Sequence, residues 1–503
     1  MCSIILHPVL AKMIDTIATI PEFYRGKSVF VTGASGFIGK VLVEKLLRSC
    51  PDIGKIYILL RPKKNKTLED RMKSITDKIL FDKVKELHPE NMKKLQFVAG
   101  DISEINLGLS PDNYDLLVNN VDVIFHVAAT VKFQAPLSDS ALINIRGTRE
   151  ICNLALAMKK KTILLYVSTS YCHHENQCIK EKTYEPYGDW RKTIKIAESM
   201  DRHILNVITA KMKGVKENTY TFTKAQAEQV VLDLCVGKIP TIILRPAIVF
   251  SVVDDPIPGY SEGFTGHIGI LAGTISGLLK CINSSLSFRS EAVPVDYIVK
   301  GLVNSVWMKG TGQSEEPVSI YNGSCKELLD INNEICITAS NNSCLKTCTV
   351  YNWYPHIVII KSQMLYYLYS MIFQLLPSVI GDVFINLKIG KPFLVKVQRN
   401  VFASQSVLKY FSNNEWDIQN SKFVDIITDA PNDDNFIIKL DDPEFYENCA
   451  LNTCNFIIQH YFNLKLTENP TSSTKLMILK TLYYMVHFAV YSILAYTLFS
   501  VVY

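Results

Sequence analysis

The sequence predicts an α/β fold built on a doubly wound parallel sheet. Short apolar runs alternate with helical patterns through the first half of the chain, which indicates βαβ units. The runs are apolar throughout, as expected of strands with both sheet faces covered, and a glycine-rich turn joins the first run to the first helix. The predicted strands are Ser28–Thr32, Ile56–Leu60, Leu95–Ala99, Val123–Val127, Thr162–Ser168 and Thr241–Leu244, and the main predicted helices are Phe37–Ser49, Ser138–Lys160 and Tyr220–Cys235.

Length and composition set broad limits. The 503 residues are 48% hydrophobic and 20% charged, which is typical of a folded chain with two domains and an appendage. A net charge of +5 without long Lys/Arg blocks argues against a nucleic-acid partner. The 13 cysteines form no CxxC pair, which favours reduced intracellular thiols and no metal site. The predicted domains are an N-terminal apolar segment (1–24), the main α/β domain with substrate loops (25–350), a helical domain (351–470) and a membrane tail (481–503).

Two segments near the C-terminus suggest contact with a membrane. Thr481–Tyr503 contains no Asp, Glu, Lys or Arg and exceeds the roughly 20 residues that a helix needs to cross a bilayer core. Lys475 and Lys480 precede it, which favours a cytosolic position for the preceding domain and a tail anchor inserted after translation. Ser362–Gly381 is also uncharged. It could span a membrane, lie on one, or be a buried helix broken near Pro377.

The glycine-rich turn is a candidate phosphate-binding site. It ends the first strand and opens the first helix, so its glycines would allow close approach of a pyrophosphate to the positive end of the helix dipole. The candidate contact residues are Thr32, Gly33, Ser35, Gly36, Phe37, Ile38 and Gly39. At the end of the second strand, Arg61 is followed by Lys63 and Lys64. A residue that binds the ribose 2′-hydroxyl of NADH would be acidic at this position. Cations suit a 2′-phosphate, which favours NADPH over NADH.

A candidate catalytic pair lies on one predicted helix. Tyr220 and Lys224 are four residues apart and therefore share a helix face. We expect the cation to lower the pKa of the phenol, so that Tyr220 can act as the proton donor. A third hydroxyl is expected at the end of the fifth strand, where strand alternation places Ser168 and Ser170 on one side and Thr169 on the other.

These motifs resemble those of a known family. The GxxGxxG spacing is similar to that of extended short-chain dehydrogenases/reductases. Within that family, the amino-acid sequences of five segments resemble those of fatty acyl-CoA reductases, and the likeness covers roughly residues 25–465. A C-terminal membrane span is common among the insect members. The segments are Phe37–Arg48, Tyr220–Glu228, Pro256–Tyr260, Pro294–Asp296 and Gln398–Trp416.

The resemblance assigns further residues to the site. Ser170 aligns with the catalytic hydroxyl of extended reductases, whereas the corresponding segment of acyl-CoA reductases favours Thr169, so both are retained. The remaining cofactor contacts that it implies are Asp101 and Ile102 near the adenine, Ala128 and Ala129 along the cofactor, Asn144 in the supporting helix, Lys224 on the ribose, and Pro246 and Val249 beside the nicotinamide.

The implied activity is reduction of a long-chain fatty acyl-CoA by NADPH to a primary alcohol and CoA through an aldehyde-level intermediate. The implied partners are the acyl-CoA and a lipid bilayer, with a homodimer left open. The implied location is the endoplasmic reticulum membrane with the catalytic domain facing the cytosol, or alternatively the peroxisomal membrane. The loop after Gly259 departs from the family pattern, which puts chain-length preference in doubt. Two rivals remain: a membrane-bound reductase of sterols or other ketones, and an inactive lipid-binding relative that retains the cofactor.

Overall fold

The computed structural model describes residues 18–62, 67–264, 266–285, 287, 289, 291–326, 333–347, 353–387, 390–429, 433, 435–438, 444–466 and 474–502. The chain divides into two compact units. The first combines segments 1–249, 291–329 and 416–440, and the second combines 250–290, 330–415 and 441–503. This division differs from the domain limits drawn above, because residues 416–440 lie with the first unit. Those limits remain a prediction.

The strands, in chain order, are β1 (Val29–Thr32), β2 (Ile56–Leu60), β3 (Leu95–Ala99), β4 (Val123–His126), β5 (Ile163–Val167), β6 (Cys178–Ile179), β7 (Thr241–Pro246), β8 (Ile248–Phe250), β9 (Cys281–Ile282), β10 (Ala292–Pro294), β11 (Val318–Gly323), β12 (Val358–Ile359) and β13 (Asp417–Ile418). The α-helices are α1 (Ile20–Tyr24), α2 (Phe37–Ser49), α3 (Leu68–Thr76), α4 (Asp82–Leu87), α5 (Pro111–Asn120), α6 (Leu137–Ser140), α7 (Gly147–Ala157), α8 (Trp190–Ser199), α9 (Arg202–Lys213), α10 (Thr219–Cys235), α11 (Gly266–Ile275), α12 (Val295–Gly310), α13 (Asn333–Thr347), α14 (Gln363–Ser370), α15 (Leu376–Leu387), α16 (Leu394–Ser412), α17 (Ser421–Thr428), α18 (Phe445–Phe456) and α19 (Thr474–Val502).

The first unit is built on a seven-stranded sheet with the order β11-β7-β5-β4-β1-β2-β3. Every pair in it is parallel, for example β1 on β2 and β1 on β4. The predicted doubly wound fold is thus confirmed, and all six predicted strands are present. The order reverses between β1 and β4, which is the point at which such sheets bind ligands.

The seventh strand, β11, was not among the predicted strands. It pairs with β7, with Ile320 opposite Ile243. Polar residues interrupt its apolar pattern, and one of them, Asn322, is buried. The Asn322 side chain donates to the carbonyl oxygens of Ile179 (3.1 Å) and Gln419 (2.8 Å). These partners are distant in sequence, so local periodicity could not show that a buried amide is tolerated there.

The second unit is mainly helical. Buried side chains of α11, α13, α18 and α19 form its apolar cluster, which includes Ile268, Cys344, Cys454, Leu476 and Tyr483. Two helical stretches, Gln363–Leu387 and Thr474–Thr497, are long and apolar enough to cross a membrane by length and composition.

The stretch from α14 to α15 is continuous and is not broken near Pro377. A π-helical segment, Met371–Leu375, joins the two helices just before the proline. Proline has no backbone N–H, and π-helical segments, although rare, occur mostly as single turns inside α-helices that continue on both sides. The interpretation of a helix broken at this position is therefore wrong.

Candidate active site

The glycine-rich turn lies between β1 and α2, at the point where the strand order reverses. Gly33 has a φ of +76°, and a Cβ there would lie 2.6 Å from the amide nitrogen of Ala128. A Cβ on Gly39 would lie 2.3 Å from the carbonyl oxygen of Gly33. Both positions therefore require glycine. Ser35 and Gly36 are exposed, and Phe37 and Ile38 are half-buried, so the turn offers backbone at the N-terminus of a helix to an approaching anion.

A buried histidine, His126, supports this turn through the last residue of β1. The Thr32 hydroxyl lies 2.8 Å from Nδ1 of His126, and Nε2 of His126 lies 3.0 Å from the Thr148 hydroxyl. Burial and the nearby charge of Lys224 lower the pKa of His126 to about 3, so the imidazole is neutral at physiological pH. Thr32 also accepts the backbone N–H of Ala128 (3.3 Å), which ties β1 to the segment after β4. The sequence analysis missed His126, whose only signal is its position at the end of a predicted strand.

Arg61 and Asp101 lie at the carboxyl ends of β2 and β3. The Arg61 Nε is 3.7 Å from a carboxylate oxygen of Asp101, and the Arg61 side chain remains 60% exposed. Asp101 also accepts from the backbone N–H and hydroxyl of Ser103 (3.0 and 2.8 Å). The next residue, Ile102, packs its carbonyl oxygen against Gly147, where a Cβ would lie 2.7 Å away. Lys63 and Lys64 lie outside the described residues.

Asn144 connects two parts of the site. It lies in a π-helical segment, Ala141–Arg146, between α6 and α7, and its side chain is buried. Its amide nitrogen donates to the Thr130 carbonyl oxygen (3.2 Å) and to the Thr223 hydroxyl (2.9 Å), and its oxygen accepts the Thr130 N–H (2.9 Å). Asn144 thus joins the segment after β4, which contains the half-buried Ala129, to helix α10.

Helix α10 carries both members of the predicted catalytic pair. Its first turn is capped by the Asn218 side chain, which accepts the N–H of Thr221 (2.9 Å). The half-buried Tyr220 stacks on Phe133 with ring centroids 5.6 Å apart. Lys224 is buried one turn further on, and its amine donates to the carbonyl oxygen of Val167 (2.7 Å).

The electrostatics of this pair differ from the expectation. Lys224 donates a second hydrogen bond, to the Tyr166 hydroxyl (3.2 Å). Burial raises the pKa of Tyr220, although its hydrogen bond with the Thr169 side chain works in the opposite direction. Burial also lowers the pKa of Lys224 to about 8. The expectation that Lys224 brings the pKa of Tyr220 down is thus wrong for this structure, because burial dominates that pKa and the Lys224 amine is bonded to Val167 and Tyr166 instead.

The two candidate hydroxyls after β5 have different surroundings. The Thr169 hydroxyl donates to the carbonyl oxygen of Pro246 (3.3 Å), at the end of β7, and lies close enough to Tyr220 to lower the pKa of the phenol. Ser170 is fully buried and donates to the carbonyl oxygen of Arg245 (2.8 Å). Thr169 is therefore the hydroxyl that the structure brings together with Tyr220. Val249, in β8, is half-buried.

A buried ion pair anchors α10 to β7. Two guanidinium nitrogens of Arg245 donate to the two carboxylate oxygens of Glu228, each at 2.8 Å, and His173 lies 2.9 Å from the same carboxylate. Burial opposes ionisation, but Arg245 and His173 hold the pKa of Glu228 well below its usual range. Glu228 is four residues after Lys224, so these two side chains lie on the same helix face. The sequence analysis included Glu228 in the Tyr220–Glu228 segment but did not pair it with Arg245.

Among the described residues, Cys172, His173 and Glu228 form a group whose potential ligand atoms lie within 4.8 Å of one another. Both carboxylate oxygens of Glu228 already accept from Arg245. A guanidinium at this distance opposes a second cation, so the group is better described as an ion-pair network than as a metal site.

The residues of the turn fit a dinucleotide. Gly33 and Gly39 leave no room for a Cβ, the turn opens a helix at the switch point of the sheet, and a hydroxyl–phenol pair and a buried lysine lie at the ends of the neighbouring elements. This fold and site define a nicotinamide-dinucleotide-binding reductase.

Comparison with known proteins identifies the family. Two family profiles described as "Male sterility protein" match the chain, the NAD-binding part over residues 31–302 and the "Sterile" part over residues 373–459. The chain is 30% identical to fatty acyl-CoA reductase 1 of Xenopus laevis, over 88% of this chain and 86% of the relative. It is 32% identical to the fatty acyl-CoA reductase wat of Drosophila melanogaster, over 82% and 80%. The chain belongs to the fatty acyl-CoA reductase family and is an oxidoreductase.

Solved structures share the fold. A terminal reductase domain from the myxalamid biosynthetic pathway superimposes with a TM-score of 0.59 at 16% identity, covering 92% of this chain and 99% of that one. A reductase domain of a non-ribosomal peptide synthetase from Mycobacterium tuberculosis gives 0.58 at 18% identity, covering 90% and 96%.

Proposed function

We propose that this chain reduces long-chain fatty acyl-CoA to primary fatty alcohol with NADPH, through an aldehyde-level intermediate. The observation that carries the proposal is the convergence of Tyr220, Lys224 and the Thr169 hydroxyl at the end of β5, in a chain of the fatty acyl-CoA reductase family. NADPH, when bound, supplies hydride to the carbonyl carbon. Each acyl-CoA is reduced twice and takes up two hydrides and two protons in total. One alcohol and one CoA thiol are released.

Tyr220 and Thr169 stabilise the oxygen that becomes negative when the carbonyl carbon is reduced. Tyr220 is half-buried and its phenol is protonated, so it can donate a hydrogen bond to the carbonyl oxygen. It can later give up its proton because the alkoxide formed by reduction is a stronger base than the phenolate. Thr169 contributes the second hydroxyl. Removal of one such donor typically costs about 10²–10³ in rate.

Lys224 holds the geometry of the site. Its amine is fixed between the Val167 carbonyl oxygen and the Tyr166 hydroxyl, and we infer that it also donates to the cofactor ribose. Asn144 fixes the Thr130 segment to α10, and the Glu228–Arg245 pair fixes the other end of α10 to β7. These groups act by positioning and need not touch the substrate.

The proposed cofactor contacts are the glycine-rich turn for the pyrophosphate, Asp101 and Ile102 near the adenine, and Ala128, Ala129, Pro246 and Val249 towards the nicotinamide. Arg61 supports NADPH over NADH. It is exposed and cationic at the end of β2, and the carboxylate of Asp101 is 3.7 Å away, so it can turn to a 2′-phosphate.

The substrate and product favour a membrane location. A long acyl chain partitions into lipid by about 0.8 kcal/mol per buried CH₂. Helix α19 exposes an apolar surface that suits the same environment. We propose attachment through α19 to an intracellular membrane, the endoplasmic reticulum or alternatively the peroxisome, with the catalytic unit in the cytosol.

The decisive assay uses membranes containing the full chain. They are supplied with NADPH and a series of medium- to very-long-chain acyl-CoAs, with Tyr220→Phe membranes as the control, and lipids are analysed for alcohol and for trapped aldehyde. Alcohol that requires NADPH and Tyr220 supports the proposal. Turnover of a sterol ketone without any acyl-CoA reduction would favour the ketone-reductase rival. NADPH binding without turnover of either substrate would favour the inactive relative.

A further inference from the structure

The stretch from α14 to α15 has its polar side turned towards the protein. Its buried residues are Tyr366, Ser370, Phe373, Gln374 and Ser378. Three of them make hydrogen bonds inside the second unit. The Ser370 hydroxyl lies 3.1 Å from the Cys281 thiol, the Gln374 side-chain oxygen accepts the Lys280 N–H at 2.6 Å, and Ser378 donates to the Gln374 carbonyl oxygen at 2.7 Å.

The outward side of the same stretch is apolar. It exposes a long row of large hydrophobic side chains: Met364, Leu365, Leu368, Met371, Leu376, Val379, Ile380, Val383, Phe384 and Leu387. Leu365, Leu376 and Leu387 are 58%, 53% and 73% exposed. The sequence has no charged residue from position 362 to position 381. In a water-soluble protein this arrangement is reversed, because burial of the apolar face drives helix packing.

Such an inverted pattern is stable when the surrounding medium is hydrocarbon. There, polar side chains pair on the protein side, and apolar side chains face lipid at no cost. Helix α19 shows the same inversion. His487 is buried and lies 2.9 Å from the Tyr369 hydroxyl, and its ring stacks on Phe373 at 4.0 Å, whereas Met485 and Phe488 are exposed. The two helices thus meet on their inward sides through a polar and aromatic contact, and their apolar surfaces are left exposed.

The following helix, α16, limits how deep this stretch can lie. The Asp382 carboxylate accepts the backbone N–H groups of Phe393, Leu394 and Val395, each at 2.9 Å, so the chain reverses beside α15. Helix α16 then runs on with Lys396, Arg399 and Lys409 exposed. If the stretch crossed a bilayer, this charged helix would have to begin on the far side and return through hydrocarbon, which is strongly unfavourable.

We propose that α14–α15 is a second membrane element, which lies in one leaflet along the membrane surface with its apolar side in the lipid and does not cross. The proposal rests on the membrane attachment suggested above for α19 and is independent of which substrate is reduced. Lys361 before the stretch and Lys391 after it are exposed at its two ends, where they can reach lipid headgroups. The element brings the second unit against the membrane from which an acyl chain would be drawn.

The test measures the depth of three outward positions in the full chain. A fluorescent amino acid is placed singly at Leu365, Leu376 or Leu387, and the proteins are reconstituted in phosphatidylcholine vesicles brominated at shallow or deep acyl positions. These sites lie roughly 11 residues apart, so a helix separates the outer two by about 33 Å. The matched control is the exposed Ser404 on α16. NADPH binding and reductase activity are measured on every labelled protein.

We expect several-fold stronger quenching at all three leucines than at Ser404, with the same preference for shallow bromines. Stronger quenching by deep bromines at Leu376, together with stronger quenching by shallow bromines at Leu365 and Leu387, would show a span. That result would overturn the proposal that the stretch does not cross. Quenching no stronger than at Ser404 would overturn the membrane element altogether, and concentration-dependent dimers in that case would identify a second copy as the occupant. A chain that makes no alcohol but is quenched as expected would refute the proposed reaction and leave this proposal standing.

Discussion

The side chain of Thr169 lies beside the Tyr220 phenol and lowers its pKa, opposing the effect of burial. The adjacent Ser170 instead donates to the carbonyl oxygen of Arg245 at 2.8 Å and is fully buried. Two neighbouring hydroxyls therefore have separate roles, one beside the phenol and one in the connection between β5 and β7. The two roles can be separated by mutation.

Thr169→Ala should lower kcat for alcohol formation by about 10²–10³, because one donor to the developing oxyanion is lost. Ser170→Ala should retain most of that kcat but lower the free energy of unfolding by about 1–3 kcal/mol, because a buried carbonyl oxygen loses its partner. Both variants are compared by steady-state kinetics and urea unfolding. If Ser170→Ala is the inactive and stable one, the two roles are reversed.

Tyr220→Phe should abolish alcohol formation and leave NADPH affinity nearly unchanged, because only the hydroxyl is removed. Lys224→Ala should impair both, because Lys224 is proposed to hold the ribose as well as the site geometry. Binding is followed by NADPH fluorescence, and alcohol by lipid analysis. More than a few per cent of wild-type turnover in the phenylalanine variant would exclude Tyr220 as the proton donor.

Arg61→Asp should weaken NADPH binding far more than NADH binding. The variant loses the pairing with the 2′-phosphate, and its new carboxylate repels that phosphate. The control is Arg202→Asp, since Arg202 is 59% exposed and also paired with one carboxylate, Asp139 at 2.9 Å. Dissociation constants for both cofactors give the comparison. An equal change for NADPH and NADH would mean that Arg61 does not read the 2′ position.

The buried amine of Lys224 should give the stability a defined pH dependence. Burial lowers its pKa from 10.5 to about 8 in the folded chain, so between these values the unfolded chain binds more protons. Stability should therefore rise with pH across this window, and the gain should disappear in Lys224→Met. The exposed Lys211→Met is the control, and urea unfolding without cofactor is the measurement. Parallel pH curves for wild type and Lys224→Met would contradict the burial of a titrating amine.

The sequence predicted the sheet well because its strands are apolar on both faces and are separated by amphipathic helices. It also placed Tyr220 and Lys224 correctly on one helix, since their spacing is a local property. The His126 network and the Glu228–Arg245 pair depend on contacts between elements that are distant in sequence or separated by a turn of unknown geometry. The pKa of Tyr220 was misjudged for the same reason. Proximity of a cation can be read from spacing, whereas desolvation depends on the packing of the whole site.

The orientation of Gln363–Leu387 could not be derived from the sequence either. An uncharged stretch with Ser, Gln and Tyr is compatible with a span, a surface element or a core helix. The structure removes one of these interpretations by showing which side is buried: Ser370 and Gln374 face the protein, and Leu376 faces outwards. The core-helix interpretation is wrong for this stretch, because its large apolar side chains are mostly exposed.

Truncation after Lys475 should weaken membrane attachment without removing NADPH binding, because the glycine-rich turn and α10 belong to the first unit. The truncation also removes Leu476 and Tyr483, which pack in the second unit, so a second variant is needed. Phe488→Lys with Ile493→Lys leaves those contacts in place and puts charge on the exposed side of α19, where each lysine should cost about 2.5–3.5 kcal/mol in a bilayer centre.

Alkaline carbonate extraction of membranes separates the possible outcomes of these α19 changes. The full chain should stay in the pellet, because an inserted helix resists extraction. Both variants should be released by carbonate, yet should still float with vesicles at neutral pH if α14–α15 provides the second, weaker contact. Release of the full chain into the supernatant would instead mean that α19 is not inserted, and the apolar surface of α19 would then have to be covered by protein.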